Sequence, residues 1–407
     1  MKWLLRIIVI GAHLLAAVLL FGGIFLFSES EPNRDEGTTS ASDPTGSENA
    51  EPADEPERER QTRGKVEDRE SERSFLERLR RNLLSNRKKW SLPPGLKQKA
   101  SDCTTGAVVN LSDPAVYWEK NLTKTVPVAS LTKMMTALAL IEYIEGEEGL
   151  SLDSEVTVSK DAAGMGGSQI YMERGESFTV RETLQAIMIF SACDAAYAAA
   201  EFFGDGQAAR GVRLMNQRAE ELGLSSLHFS NPHGLPVYEE NEKPNRGNAL
   251  DFSLLAAKLL QYPSVVDAAS TWITYLREDE EEPFQLVNRN RLVKDIPGVN
   301  GMKTGYTDRA GWCMVLTYQK ENSSFIVTVT GCESKASRNA LAEGLLAWAL
   351  KKSGQKGESA GETYLVKEGD TLYEIARTHG VSVPELKQAN NLENNIIRKG
   401  EQLVIPE

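Results

Sequence analysis

Cysteine and histidine are scarce in this chain, with four of each among 407 residues. The cysteines, Cys103, Cys193, Cys313 and Cys332, are too few and too widely spaced for a disulfide framework. They read as buried thiols, and the sequence gives no pairing for a disulfide among them. No Cys-x-x-Cys pair exists and the histidines are scattered, so no metal site is expected. A sustained basic face and a nucleic-acid reader motif are both missing, which argues against DNA or RNA as a partner. The net charge is −12, with much of the acid in one early tract. Large apolar residues are nearly absent from residues 28–74, where Ser, Glu, Asp, Arg, Gly, Thr and Pro dominate. Such a stretch cannot bury a core and reads as a disordered tether.

What is present is unevenly arranged, and the length suggests two to three domains. Lys2 and Arg6 lead an apolar run from Ile7 to Phe27. That run is about long enough to span a bilayer, and longer than the core of most secretory signals. It reads as an uncleaved anchor, with a cleaved signal peptide as the alternative. The basic end precedes the run, so the remainder is exported. In residues 75–100, Phe75, Leu76, Leu79, Leu83 and Leu84 recur at helical spacing among Arg and Lys. Two readings fit: a helix drawn to an anionic envelope surface, or a short solvated helix leading into the domain. The second is favoured, and Pro93-Pro94-Gly95 ends it.

Residues 101–352 read as one folded unit. Apolar patterns predict strands at 106–111, 116–118, 312–318 and 325–330, and helices at 126–141, 183–203, 208–222, 251–261 and 338–351. Strands at both ends with helices between predict an α+β domain, an antiparallel sheet beside a helical region. Residues 353–361 form a polar linker. Residues 362–407 form a separate unit with the order strand, helix, helix, strand.

Three elements carry chemistry. Ser-x-x-Lys occurs three times, at Ser85/Lys88, Ser130/Lys133 and Ser353/Lys356, and only the middle pair opens a long apolar helix. Three residues apart on a helix, Ser130 and Lys133 share a face. A buried lysine kept neutral can take the serine proton. Its bland counterpart is an N-cap serine beside a surface lysine. Ser191 and Cys193 sit at a polar break in an apolar helical pattern, where buried polar atoms need partners. Gly301-Met-Lys303-Thr304-Gly305-Tyr306-Thr307 occurs once. Its glycines mark a strand where another backbone or a ligand comes close. Lys303 there offers a cation to a carboxylate and disfavours a second cation on Lys133.

In this order, Ser130-Leu-Thr-Lys133, Ser191-Ala-Cys193 and Lys303-Thr-Gly305 resemble the three motifs of penicillin-recognising serine acyl transferases. Ser230-Asn-Pro-His-Gly-Leu235 and Asn288-Arg-Asn-Arg-Leu292 narrow the resemblance to low-molecular-mass D-alanyl-D-alanine carboxypeptidases. The resemblance implies a β-lactamase/DD-peptidase-like fold and removal of the terminal D-alanine from stem pentapeptides of peptidoglycan. Ser130 would be the nucleophile, Lys133 its base, and Ser191 with Lys303 a proton relay to the leaving group. The backbone N–H groups of Ser130 and Tyr306 would form the oxyanion hole. Cys193, Thr304, Gly305 and Arg338 would bind substrate. β-Lactams would be covalent inhibitors, and no cofactor is implied. The second motif usually ends in Asn, and Cys193 is a weaker hydrogen-bonding group. That leaves endopeptidase or transpeptidase activity, or a catalytically weak wall-binding protein, as alternatives.

Residues 362–407 resemble a LysM domain of βααβ form, through Tyr364-Leu-Val-Lys-Glu-Gly-Asp-Thr-Leu372 and Gly400-Glu-Gln-Leu-Val-Ile-Pro406 among others. This implies a glycan groove at Gly369, Asp370 and Thr371 on one side and Asn395 and Ile396 on the other. The expected site of action is the bacterial cell envelope.

Overall fold

The computed structural model describes residues 57–88, 90–236, 243–278, 282–354, 362–379, 381–390, 392 and 394–405. The expected anchor, and the tether up to residue 56, lie outside the described residues, as does most of the 353–361 linker. Among the described residues no helix is long and apolar enough to cross a membrane.

Five antiparallel strands form the central sheet: β1 (Thr105–Asn110), β2 (Ala115–Lys120), β3 (Val299–Thr307), β4 (Gly311–Lys320) and β5 (Ser323–Cys332), in the order β2-β1-β5-β4-β3. Both faces are covered, which is why these strands read as nearly continuous apolar runs. Period-two alternation divides their side chains between two cores. Ala107, Val109, Val315 and Ile326 pack towards the helical region, while Val108, Met314, Leu316 and Val327 pack with Leu341 and Leu345 of the long C-terminal helix. The strands at the two ends of the domain meet because β1 pairs with β5, Thr105 opposite Thr330.

The helical region contains α2 (Lys133–Gly146), α3 (Cys193–Phe202), α4 (Ala208–Glu221) and α5 (Ala249–Leu259); α6 (Lys335–Lys352) covers the other face of the sheet. Met134, Met135, Leu138, Leu140 and Ile141 of α2 are all buried, so α2 is the central helix rather than an amphipathic surface one.

Two sequence expectations are corrected here. The disordered reading of 28–74 fails from Glu57 onward, where a helix, α1 (Glu57–Ser85), begins and runs through Ser85. Nor is α1 a solvated lead-in, because Leu76, Leu79 and Leu83 are buried against the helical region. Arg80 pairs with Asp251 at 2.8 Å, Glu72 pairs with Lys258 at 2.6 Å, and Glu72 also meets Arg218. These partners lie more than a hundred residues away in sequence, so the local pattern could not reveal them. Leu83→Ala should cost about 2–5 kcal/mol, measured by denaturant unfolding. Retained stability would show that α1 is not part of the core. After α1 ends at Ser85, Pro94 starts a second helix, Pro94–Ser101, at a position where its missing N–H costs nothing.

The second correction concerns cysteine. Cys103 and Cys332 form a disulfide across 229 residues, tying the entry to β1 to the end of β5. Cys193 and Cys313 are buried free thiols, as expected. The pairing follows from the β1–β5 register, which spacing along the chain does not encode.

The C-terminal unit has the βααβ order: β6 (Glu362–Leu365), α7 (Leu372–His379), α8 (Val383–Ala389) and β7 (Gln402–Ile405), with β6 antiparallel to β7. Its core is Val366, Leu372, Ile375, Ala376, Leu386, Leu403 and Ile405.

Candidate active site

The predicted helix at 126–141 is interrupted. Val126–Pro127 pairs as a short strand with Arg246–Gly247, Ala129 takes a left-handed φ of 49°, and Ala129–Thr132 forms a 3₁₀ turn that runs into α2 at Lys133. A 3₁₀ turn has three residues per turn, so Ser130 and Lys133 still stack. Lys133 Nζ lies 3.2 Å from Ser130 Oγ, 3.4 Å from Cys193 Sγ, and donates to the His233 carbonyl at 2.7 Å. Lys133 is fully buried, and burial lowers its pKa against the opposing pull of Cys193 and Asp194. A neutral amine still donates to His233 and keeps a lone pair that could accept a proton.

The loop that supplies the His233 carbonyl is itself pinned. Asn231 Oδ1 accepts from the Gly234 N–H at 2.7 Å. Buried Asn245 bridges this loop to the Ser130 turn, donating to Thr132 Oγ1 at 2.8 Å and the Asn231 carbonyl at 2.9 Å. Gly234 has φ +85° and packs so closely on Ala129 that any Cβ would overlap the Ala129 carbonyl and lie 2.9 Å from Ser130 N. The His233 ring is held neutral, its pKa pushed down to about 3 by burial and then by Lys133.

The apolar pattern at 183–203 is likewise not one helix. Val180–Gln185 widens into a π turn over Ala186–Phe190, Ser191 adopts φ 68°, and α3 starts afresh at Cys193. The polar break in the sequence is therefore a real kink, of the kind that often marks functional sites. Asp194 Oδ2 accepts from the N–H groups of Ile170 (2.9 Å) and Met172 (3.3 Å), and the Ser168 carbonyl accepts from Cys193 N at 2.7 Å.

The third wall is the edge strand β3. Lys303 is buried and donates to the Thr304 carbonyl at 2.9 Å. Its pKa is driven well below that of an ordinary lysine by burial, then by Lys133. The two amines therefore resist being charged together. Gly305 faces the turn so closely that a Cβ would lie 3.0 Å from Ser130 N, which explains the glycine. Tyr306 is half-exposed and stacks on Trp312 at 4.2 Å. Arg338 lies 5.6 Å over the Trp312 ring, almost fully buried, with its pKa lowered to about 10 by burial. No carboxylate pairs with it among the described residues.

Ser130, Ser191, Thr304, Gly305, Tyr306 and Arg338 all line one cleft of about 320 Å³. Lys133, Cys193 and Lys303 are buried behind it. Sequence reasoning missed Ser168 and Arg289, which also line it, and the roles of His233 and Asn245. Arg289 lies within the 288–292 segment, and its guanidinium is held at the cleft by Phe190, stacking on the ring at 4.2 Å and donating to its carbonyl at 3.2 Å. His233 acts through its carbonyl, which no side-chain pattern signals. The cleft's lining includes Arg289, Lys335 and Arg338 but no carboxylate, so it favours an anionic ligand.

Residues 96–334 match the family described as D-alanyl-D-alanine carboxypeptidase. The chain belongs to that family. Residues 364–406 match the LysM domain. Among similar carboxypeptidases, DacF of Bacillus subtilis is 32% identical over 320 residues, covering 75% of this chain and 80% of DacF. The crystal structure of the carboxypeptidase DacD from Francisella tularensis superposes with a TM-score of 0.55 at 26% identity, covering 66% of this chain and 74% of DacD. Penicillin-binding protein D2 from Listeria monocytogenes, in its cefotaxime-bound form, gives 0.53 at 27% identity, covering 60% of this chain and 96% of that protein. The α+β expectation, with a DD-peptidase-like sheet and helical region, is thus borne out, as is the LysM unit.

In the LysM unit Gly369 has φ +91°, and Asp370 accepts from Tyr364 Oη at 2.8 Å and the Lys367 N–H at 2.7 Å. Thr371 Oγ1 accepts from the Glu374 N–H at the start of α7. These contacts hold the turn, whereas Ile396 is 68% exposed and, with exposed Asn395, presents the surface of the opposite loop.

Proposed function

We propose that this carboxypeptidase removes the terminal D-alanine from stem pentapeptides through an acyl-enzyme on Ser130. The observation that carries this reading is a fully buried Lys133 amine 3.2 Å from Ser130 Oγ, beside a cationic cleft lined by no carboxylate. Ser130 Oγ attacks the penultimate D-alanine carbonyl and gives its proton to neutral Lys133. The oxyanion is met by the backbone N–H groups of Ser130 and Tyr306. As the C–N bond breaks, Ser191 passes a proton to the leaving amine, with Lys303 resupplying it. Water then cleaves the ester. Thr304 and Arg338 hold the terminal carboxylate, whose charge offsets the burial of both Arg338 and Lys303.

The test uses a labelled penicillin and a peptide ending in D-Ala-D-Ala. Label on Ser130 with release of free D-alanine supports the reading; the absence of both sinks it. Because Lys133 must be neutral, the acylation rate should rise with pH, with an inflection below the 10.5 of a free lysine. A flat acid limb would remove Lys133 as base. Arg338→Gln should lower kcat/KM for the peptide by about 10- to 100-fold, the worth of a charged hydrogen bond. Penicillin acylation should fall in parallel, because penicillin carries a matching carboxylate.

Cys193 favours a second reading. Its thiol occupies the place beside Lys133 where an amide would bind substrate more strongly, so a slow hydrolase or a transpeptidase fits as well. A Cys193→Asn variant that releases D-alanine faster, with unchanged penicillin labelling, would assign the limit to that thiol. We also propose that residues 1–27 anchor the chain and that the LysM unit, through Gly369, Asp370, Thr371, Asn395 and Ile396, holds it on glycan. Local tethering raises substrate concentration. Deleting residues 1–27 should move the protein out of the membrane fraction, and deleting residues 362–407 should reduce its sedimentation with purified walls.

A further inference from the structure

Asp251, on the first turn of α5, is 1% exposed, and a carboxylate so deeply buried needs a cation beside it. That cation is Arg80 of α1, whose Nη2 lies 2.8 Å from Asp251 Oδ1 and donates to the Gly223 carbonyl at 2.8 Å. No other cation pairs with Asp251 among the described residues. Asp251 Oδ2 accepts from the Ser226 N–H at 2.8 Å, and Ser226 Oγ accepts from the Asn248 N–H at 3.0 Å. Arg80, Asp251, Ser226 and Asn248 thus close one clamp between α1, the start of α5 and the 223–226 turn.

The clamp holds one end of a short three-stranded ribbon. Residues 245–247 run down its middle, between residues 228–230 and residues 126–128. His228 and Arg246 exchange both backbone hydrogen bonds, at 3.0 and 2.9 Å, while Arg246 and Gly247 pair with Pro127 and Val126. Asn245 closes the other end. Its carbonyl accepts from the Val128 N–H at 3.2 Å and its Oδ1 from the Ser230 N–H at 2.8 Å, besides its bonds to Thr132 and Asn231. Asn245 and Asn248 are three residues apart in extended chain, so about 10 Å separates the clamp from the groups that fix Ser130 and the His233 carbonyl. Between them Gly247 packs so closely on Leu227 and Phe252 that a Cβ would overlap both. A ribbon this tightly packed passes on a displacement and does not absorb it.

We propose that Arg80 is a positioning residue for the reaction: by holding Asp251 and Ser226 it fixes the far end of the ribbon, and through the ribbon the Ser130 turn and the His233 carbonyl. The inference rests on the reading of Ser130 as the nucleophile. Arg80 itself touches neither substrate nor the reacting groups. Without it, Asp251 is a buried charge with no counterion, so the first turn of α5 relaxes towards water and draws Ser226 and Asn248 with it. The shift reaches Ser130 Oγ and Lys133 Nζ, whose 3.2 Å spacing the proton transfer needs. α1 then contributes to the working geometry of the site as well as to the core.

The test uses the full chain. Arg80→Gln should lower kcat for D-alanine release, and the rate of penicillin acylation, by about tenfold, with KM for the peptide within about twofold of wild type. Glu72→Gln is the control. It breaks the other ion pairs of α1, to Lys258 about two turns further along α5 and to Arg218 on α4, so it should loosen α1 and leave both rates unchanged. Hydrogen exchange reads the ribbon directly: the Val128 and Ser230 amides should exchange faster in Arg80→Gln and at the wild-type rate in Glu72→Gln. Adding Asp251→Asn to Arg80→Gln should slow the reaction no further, because both act through one clamp. Wild-type rates in Arg80→Gln, an equal loss in Glu72→Gln, or a further loss in the double variant overturns the proposal. Should Arg80→Gln not fold, Ser226→Ala keeps the ion pair and removes only the hydroxyl that receives the Asn248 N–H. Its kcat should fall about threefold with faster exchange at Val128 and Ser230, and wild-type values of both overturn the proposal. If wild type takes no penicillin label and releases no D-alanine, the reading of Ser130 fails, and the exchange comparison by itself decides whether Arg80 fixes the ribbon.

Discussion

Ser130→Ala should form no acyl-enzyme, and its D-alanine release should fall by at least about 10,000-fold, the loss seen when a nucleophile is removed from a coupled catalytic unit. Lys133→Ala should come close to matching it. In the proposed mechanism the two groups act as one: without the amine the hydroxyl keeps its proton, and without the hydroxyl the amine has nothing to activate. The Ser130→Ala, Lys133→Ala double variant should therefore be no slower than the worse single one, and additive losses would show that the groups act separately. Thermal unfolding provides the structural control. Lys133 is buried with its pKa lowered by desolvation. Between that lowered pKa and 10.5, the unfolded chain binds a proton that the folded chain does not. Stability from this group thus rises with pH in that window and weakens as pH falls. Lys133→Ala removes the dependence, so lost activity accompanied by a flatter stability profile would identify the amine as a functional group held at a cost to the fold.

Gly234→Ala should produce the second-largest loss, through geometry rather than chemistry. The new Cβ would overlap the Ala129 carbonyl and press on Ser130 N, so the backbone that carries the nucleophile must shift. A displacement of about 1 Å at a reacting group costs on the order of 100-fold in rate. The φ of +85° adds strain worth about 1–3 kcal/mol. Gly206→Ala is the matched control: its φ is +79°, and its added Cβ meets nothing within 4 Å. Penicillin acylation should collapse in Gly234→Ala and persist in Gly206→Ala, although both unfold more easily. Equal kinetics in the two would mean that the turn tolerates the shift.

Much of this protein was legible from its residues. Nearly continuous apolar runs placed β1, β2, β4 and β5 to within a few residues, because strands buried on both faces must be apolar throughout. The strand–helix–helix–strand order of the LysM unit was legible for a similar reason, its short apolar runs being separated by strong turn signals. Ser130, Lys133 and Ser191 could be singled out because polar residues inside apolar patterns demand partners, and Lys303 because strand glycines flank it. Those partners were beyond reach of the sequence. Local pattern carries no information about which distant groups meet, so the Cys103–Cys332 bond, the ion pairs that bind α1 to the helical region, and the Asn245 bridge could not be foreseen. Nor does pattern report backbone conformation. The 3₁₀ turn at Ser130 lies inside what reads as apolar helix, and the polar break at Ser191 marked the place of the second kink but not the π turn that precedes it. The sequence by itself determined the residue types of the site, the α+β layout and the two kinds of domain. Only the tertiary structure decided that Lys133 is buried, that the His233 carbonyl receives it, and that the surrounding cleft is cationic. Burial and charge balance are sums over neighbours from many segments, and folding alone brings those neighbours together.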